Sequence, residues 1–499
     1  MHSTGFDTDI YIKKQLERLF ERVSRFERLY LEFGGKLFSD THATRVLPGY
    51  RPSTKIELLK KMKNIDLFYC VSANDIARGK VRGDSGLPYD LQVLNDLKNI
   101  SGYGISISGV VITLFTGQPS AEQLRRRLEN LGYKTYFQNV IEGYPQDTER
   151  VIREYKNQPY IETKNKLVVI TGAGGGSGKM ALCLSQIYSE KSRKMNSGYA
   201  KFETFPIWNF PVNHPINIAY EASTADLGDF NEIDPYHQKE YSIMATNYNR
   251  DIENYTILKD ILVKITGNKF PFNYKSPTDM GINTLVAGIT NEKICKKAAL
   301  EEIIRRYFHY SVGKLEGKEP QKTIDRITEI LKKVNLKPED RFVVNAARKA
   351  ASEAQSTGKG FKNVYCGSAL EMPDGSIVTG KNSSIFHSES ASVLNALKIF
   401  AHIPDEIDLI SPSILNEIAK MKETMLDYKS PSLPVNETLI VLASCAVTNT
   451  SAKSAIEKVG QLRNCEMHST LVPSSRDSIG LRNLGINATA DAKVASIEF

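Results

Sequence analysis

The chain has 499 residues, 41% of them hydrophobic and 24% charged, with 65 lysines and arginines against 57 aspartates and glutamates. That length and composition exclude a disordered or collagen-like polypeptide and imply about two to four domains, each able to bury its own core. The net charge of +8 is mild, and its clusters (Arg125-Arg126-Arg127, Lys296-Lys297, Arg305-Arg306, Lys332-Lys333) are scattered along expected helix faces, so no nucleic-acid partner is expected.

The six cysteines, Cys70, Cys183, Cys295, Cys366, Cys445 and Cys465, are dispersed without a C-x-x-C pair, a pattern that suits reduced thiols. No run of 18 apolar residues marks a membrane span, and the first seven residues lack a signal-peptide core, so a cytoplasmic protein without a membrane partner is expected.

In chain order, Asp9–Arg25 reads as a helix and Leu29–Phe33 as a strand ending at Gly34-Gly35-Lys36. Further strands are expected at Ile65–Val71, Gly109–Phe115, Lys134–Val140 and Lys166–Thr171, with helices at Thr54–Met62, Leu91–Ile100, Ala121–Leu131 and Glu149–Lys156 between them. This alternation predicts βαβ units and an α/β, Rossmann-like parallel sheet over residues 1–234, a phosphate- or nucleotide-binding region. Residues 235–357 read as a helical middle domain with helices at Tyr241–Thr266, Glu292–Tyr310, Lys322–Val334 and Pro338–Ser356. The loop Gly267–Asp279, with Phe270 and Phe272, is expected to pack between domains. Residues 358–499 read as a second α/β unit. It opens with a hairpin, Val364–Leu370 and Ser376–Gly380, turning through Pro373-Asp374-Gly375, then a helix at Ser388–Phe400 and a buried strand at Thr438–Ala443.

The most informative motif follows the strand Lys166–Thr171. Gly172-Ala173-Gly174-Gly175-Gly176-Ser177-Gly178-Lys179 runs directly into a helical stretch. Strand, glycine-rich turn and helix make a phosphate cradle, because backbone N–H groups free of Cβ atoms point inward and the helix N-terminus adds unpaired donors. The loop is similar to G-x-x-x-x-G-K-[ST], with Ala173 at the first position and Met180 where the hydroxyl that holds Mg²⁺ belongs. ATP or another phosphorylated small molecule is the expected ligand, with Mg²⁺, if it accompanies the ligand, held by other groups. A relaxed dinucleotide pattern, Gly176-x-Gly178-x-x-Ala181 with Glu203 on a ribose, is a poorer fit.

Gly34, Gly35, Lys36, His42, Arg45 and Arg51 form a second group, set to hold an anionic second substrate. Asp226, in the polar loop Glu221–Asp229, is a candidate base or metal holder; Lys179 and His42 complete the expected catalytic set. Near the C-terminus His387-Ser388-Glu389 begins a helix after an Asp-Gly hairpin. This resembles the H-x-E element of zinc-dependent cytidine deaminases, in which His binds zinc and Glu shuttles protons. The P-C-x-x-C half is sought at Ser444-Cys445, where a single thiol remains, so zinc is not expected and His387, Glu389 and Cys445 form an incomplete site.

Gly5-Phe-Asp-Thr-Asp-Ile-Tyr, Phe33-Gly-Gly-Lys-Leu-Phe-Ser-Asp-Thr-His-Ala, Arg45-Val-Leu-Pro-Gly-Tyr, the glycine loop and Phe386-His-Ser-Glu-Ser-Ala together resemble a bacterial family of unknown function. Some of its members are described as ATP-dependent zinc proteases. The resemblance spans the chain and implies a Rossmann-like N-terminal region, a helical insert, a cytidine-deaminase-like α/β C-terminal subdomain and homo-oligomers. It supplies no reaction, and no H-E-x-x-H occurs to run a zinc protease. Three functions stay open: an enzyme acting on ATP or another phosphorylated metabolite, a ligand-sensing regulatory oligomer, and residual zinc chemistry at His387 and Glu389.

Overall fold

A computed structural model describes residues 4–38, 40–81, 86–267 and 273–495. Phe270 and Phe272 lie outside the described residues. The chain divides into two compact units. Of the described residues, one takes those within 4–224 and 229–299, the other those within 225–228 and 300–495. The helical stretch 235–357 is therefore not a third body but is shared, with the boundary falling inside the helix Glu292–Leu315.

The first unit is built on a seven-stranded sheet. Its strands are β1 (Arg28–Phe33), β2 (Ile65–Ser72), β3 (Gly109–Phe115), β4 (Thr135–Asn139), β5 (Leu167–Gly172), β6 (Ser197–Phe202) and, beyond a small antiparallel ribbon of β7 (Asn231–Ile233) and β8 (Thr246–Tyr248), the two-residue β9 (Gly281–Ile282). The order is β4-β3-β2-β5-β1-β6-β9 and every pairing is parallel. Buried strands such as Leu167-Val168-Val169-Ile170 need apolar side chains on both faces, which explains their continuous hydrophobic runs. β6 escapes that rule. It reads Ser-Gly-Tyr-Ala-Lys-Phe, and its glycine is a packing device: a Cβ on Gly198 would lie 2.3 Å from the Phe26 ring.

The order of connections places the ligand edge. From β1 the chain moves to β2, β3 and β4 on one side, then returns to β5 and crosses to β6 on the other. β5 thus stands between two strands whose outgoing connections run the opposite way to its own, and ligands of parallel α/β sheets sit at such a reversal, at the carboxyl ends of the strands.

The expected helix Tyr241–Thr266 is broken: a helix ends at Tyr241, Ser242 turns left-handed (φ 58°), and β8 intervenes before the helix Asn249–Thr266. In the second unit β10 (Gly367–Glu371) and β11 (Ile377–Lys381) form the expected hairpin, with Gly375 at φ 86° and Asp374 accepting from the Ser376 amide at 3.0 Å. β12 (Glu466–Ser469) and β13 (Asn487–Ala490) complete a sheet of order β11-β10-β12-β13, in which β10 is antiparallel to both neighbours and β12 and β13 are parallel. The strand expected at Thr438–Ala443 is part of the helix Val435–Cys445. Its buried positions, Val435, Thr438, Leu442 and Cys445, recur at helical spacing while Ile440 is exposed, and a short apolar run does not reveal that by itself. Among the described residues no helix is long and apolar enough to cross a membrane.

One pH effect follows from this sheet. His468 on β12 is fully buried, and burial, with Arg341 nearby, holds its pKa below the ordinary value despite the Asp491 carboxylate at 3.4 Å. The unfolded chain therefore binds the proton more readily, so stability is present above about pH 6.5 and falls below it. Asp491, held well below the usual carboxylate range by His468 and Arg348 against the effect of burial, adds to the loss further into acid. Denaturation midpoints at several pH values should fall with acid in this unit, and less steeply in His468→Gln.

Candidate functional site

β5 ends at Gly172, and the loop Gly172–Gly178 leads to the fourteen-residue helix Lys179–Ser192. Two glycines are required by close approach: a Cβ on Gly172 would lie 2.5 Å from the Cys70 carbonyl, and one on Gly178 would lie 2.8 Å from Thr113. Gly178, at φ 76°, also caps the helix in a left-handed conformation. Thr113 Oγ1 donates to the Ser177 carbonyl at 2.9 Å and so ties the loop to β3. The Lys179 ammonium folds back over the loop, 3.2 Å from the Gly174 carbonyl and 3.3 Å from Ser177 Oγ. Among the described residues the amides of Gly174, Gly175, Gly176 and Gly178 make no backbone hydrogen bond, the Ser177 amide closes a turn over Gly175 and Gly176, and these two glycines are exposed. Gly178→Val forces a β-branched residue into left-handed backbone against Thr113, and should destabilise the unit by about 1–3 kcal/mol in denaturant titrations.

Glu32, the penultimate residue of β1, shares this edge. Its carboxylate and the Lys179 ammonium both act on the buried thiols of Cys70 and Cys183. Burial pushes the Cys70 thiol up to about 12, so it is no ready nucleophile. Tyr199 donates to Glu32 at 2.8 Å. Beside it Lys201 pairs with Asp251 and, at 3.3 Å, with Glu203. Burial works against the Lys201 charge, but the two carboxylates outweigh it and hold its pKa above the ordinary value. Burial raises Glu203, and Lys201 offsets part of that. Glu203, the expected ribose ligand, is thus committed to Lys201 and packs over Gly281, where a Cβ would meet it at 2.3 Å. Glu32, Tyr199, Lys201 and Asp251 were not singled out by sequence; a charge inside a buried strand was the available signal.

The second expected group opens at the end of β1, next to β5. Gly34 and Gly35 make the turn, Gly35 at φ 77° under the Lys55 ammonium. Lys55 pairs with Asp40 at 2.8 Å. His42 is buried, edge-on to the rings of Phe205 and Tyr220 at 5.1 and 5.4 Å. Lys36 and Arg45 are half-buried. Arg51 does not wait for a substrate: it bridges Asp9 at 2.8 Å and Glu57 at 2.6 Å, fastening the first helix to the helix Thr54–Lys61. Asp226 groups with the second unit, where Tyr310 donates to it at 3.2 Å, and not with the unit that carries Lys179.

In the second unit a cavity of about 580 Å³ is lined by His387, Ser388, Glu389, Cys366, Ser474 and Asp477 among others. His387 precedes the helix Ser388–Phe400, and Ser474 caps the helix Ser475–Leu484 through the Asp477 amide. His387 Nδ1 lies 2.6 Å from Asp477 Oδ2, Ser474 donates to the same oxygen at 2.6 Å, and the Val435 amide donates to Oδ1 at 2.8 Å. Glu389 accepts from Ser388 at 3.0 Å and from Ser469, and burial, with the Asp477 charge, raises its pKa. Cys445 is not part of this group: its side chain lies in the apolar core with Leu442 and Ala452. The thiol at the cavity is Cys366, 3.1 Å from Ser388 Oγ and pushed up to about 11 by burial. His387, Glu389 and Asp477 bring one donor atom each within 4.8 Å of one another, as a cation site would, but the Asp477 oxygens already take three hydrogen bonds.

Residues 4–335 match the domain of unknown function DUF1846, N-terminal, and residues 339–499 match its C-terminal counterpart. Similar proteins include a UPF0371 protein of Clostridium tetani (strain Massachusetts / E88) and one of Clostridioides difficile (strain 630), each 45% identical over 496 residues. A UPF0371 protein of Clostridium botulinum (strain ATCC 19397 / Type A) is 44% identical over the same length. Each alignment covers 99% of this chain and 98% of the relative. The glycine loop and the His387 cavity therefore stand in one chain of the bacterial DUF1846 family, to which this protein belongs and whose function is unknown.

Proposed function

We propose that the first unit binds the phosphate of ATP or another phosphorylated metabolite on Gly172–Lys179, and that the protein is an enzyme acting on that ligand by nucleotide-dependent or phosphoryl-transfer chemistry. The observation that carries this reading is the set of amides of Gly174, Gly175, Gly176 and Gly178 without backbone acceptors, at a helix N-terminus and beneath an ammonium. Such amides are the donor set that phosphate oxygens accept. Lys179 would release its two loop contacts to reach the phosphate and stabilise charge there. Met180 offers no hydroxyl to Mg²⁺, so an ion would fall to Glu32 on the neighbouring strand. Calorimetric titration with ATP, ADP and inorganic phosphate tests the reading; no binding of any of the three rejects it. A regulatory reading, binding without turnover, is favoured by Met180 alone, and measurable turnover that Lys179→Ala abolishes would dismiss it.

The second unit is, in our reading, cytidine-deaminase-like in fold without the zinc. Three features support this: the strand order with β10 antiparallel to its neighbours, H-x-E at the helix after the hairpin, and a second helix start after β12 that faces it. That start reads Pro473-Ser474-Ser475-Arg476-Asp477, so Ser474 and Asp477 stand where P-C-x-x-C has its cysteines. A neutral hydroxyl and a carboxylate engaged in three hydrogen bonds make a poor substitute for two thiolates.

A further inference from the structure

We propose that the ligand of the loop Gly172–Lys179 carries a chain of two or more phosphates, and that the connection after β2 supplies its second contact, the Tyr89 hydroxyl with the Lys80 ammonium behind it. This rests on the phosphate reading of the loop and names what the loop selects. β2 and β5 are parallel neighbours, with Cys70 beside Gly172, so the segment that follows β2 emerges at the same edge of the sheet as the loop. There the short helix Ala73–Ala77 leads to Lys80, whose carbonyl accepts from the Tyr89 amide at 3.0 Å where the helix Tyr89–Gly102 begins. That pairing holds the Tyr89 ring against the loop: a Cβ on Gly174 would lie 2.7 Å from the Tyr89 hydroxyl oxygen.

Tyr89 is only 8% exposed, and among the described residues its hydroxyl has no hydrogen-bond partner. A buried hydroxyl that the fold leaves unpaired calls for a partner from outside the fold. Here it stands beside an amide, that of Gly174, which likewise makes no backbone hydrogen bond. Lys80 Nζ lies 5.4 Å from the centroid of the Tyr89 ring and 3.3 Å from Asp75 Oδ1. The Lys80 side chain is 50% exposed, so its pair with Asp75 is weak and screened, and the ammonium can turn toward a stronger anion. The donors thus fall in two places. Gly178 opens the helix, Gly174 lies at the other end of the loop beside Tyr89, and the Lys179 ammonium reaches back from the first to the second. One phosphate fills one of these places; a phosphate chain fills both and gives Lys80 a charge to answer.

Calorimetric titration of the full chain with pyrophosphate and with inorganic phosphate, without divalent cations, tests this. Wild type should bind pyrophosphate at least about tenfold more tightly than phosphate. Tyr89→Phe keeps the ring and its contact with Lys80 but removes one charge-assisted hydrogen bond. It should weaken pyrophosphate binding about tenfold and phosphate binding less than about twofold. Lys80→Ala should weaken pyrophosphate binding about fivefold, and that loss should shrink as salt is raised. Since the hydroxyl has no partner in the fold, Tyr89→Phe should leave the ligand-free denaturation midpoint unchanged; a drop would assign the hydroxyl to the fold and overturn the proposal. Equal affinity for the two probes in wild type, unchanged pyrophosphate affinity in Tyr89→Phe, or an equal loss for both probes in that variant each overturns it too. Those results leave the glycine-loop reading standing, whereas binding of neither probe by wild type removes both.

Discussion

Lys179→Ala is expected to abolish stabilisation by phosphate ligands while leaving the ligand-free protein folded. In wild type, a ligand at a hundred times its dissociation constant raises stability by about 2.7 kcal/mol, because only the folded state binds it. The variant loses the ammonium that, among the described residues, lies over the loop and contacts the Gly174 carbonyl and Ser177 Oγ. Neither contact spans elements, since both partners lie within the same loop, so their loss should cost the apo fold little. A thermal-denaturation series with ATP, ADP and inorganic phosphate would show upward shifts in wild type and flat responses in Lys179→Ala. Equal shifts in both proteins would mean that the phosphate sits elsewhere, and the glycine loop would be a tight structural turn. Gly178→Val separates the two roles of the loop from the other side, since it should lower the baseline stability that Lys179→Ala leaves alone.

The strands of the first sheet were legible wherever the chain buries both faces, as in Gly109–Phe115 and Leu167–Gly172, because a short apolar run next to glycine fits a buried parallel strand better than a helix. β6 was not legible. Its Gly198 and Lys201 look like loop residues until Phe26 and Asp251 are placed beside them. The same limit applies to the sites. The glycine loop is a local motif, so its position could be read directly. The Glu32 and Lys201 charges gather there only because β1 and β6 are neighbours in the sheet though far apart in the chain. In the second unit, reading the lone Cys445 as a remnant of zinc ligation put the second half of the site on the wrong element. The helix start that faces His387 carries no cysteine, and only the 2.6 Å contact between His387 and Asp477 reveals it.

Arg341→Met is the substitution expected to cost the second unit most. Arg341 is 1% exposed, and its guanidinium spans the two parallel strands β12 and β13. It reaches Glu466 at 2.6 Å and the carbonyls of Met467 and Asn487 at 3.2 Å each. Burial works against its charge and holds its pKa below the usual arginine range, with Glu466 and Glu301 opposing. Methionine fills similar volume but takes a donor away from two carbonyls, and leaves Glu466 with Arg305 and Asn487, both at 2.9 Å. Removing one partner of a buried pair typically costs about 3–5 kcal/mol. The retained contact with Arg305 sets the expectation for this unit at the lower end, about 3 kcal/mol. Arg341→Lys keeps the charge but not the planar fork that serves three acceptors, and should fall between wild type and methionine. Adding Glu466→Met to Arg341→Met removes the under-compensated carboxylate and should recover part of the loss, which a cavity or packing defect at Arg341 would not allow. The measurement is a denaturant titration of the full chain followed by hydrogen exchange on β12 and β13. Protection lost across both strands in Arg341→Met and regained in the double variant supports the account, and unchanged protection in Arg341→Met refutes it. β12 runs on into Pro473–Asp477, so slackening of these strands should also reach the helix Ser475–Leu484, and its amide protection should fall in parallel.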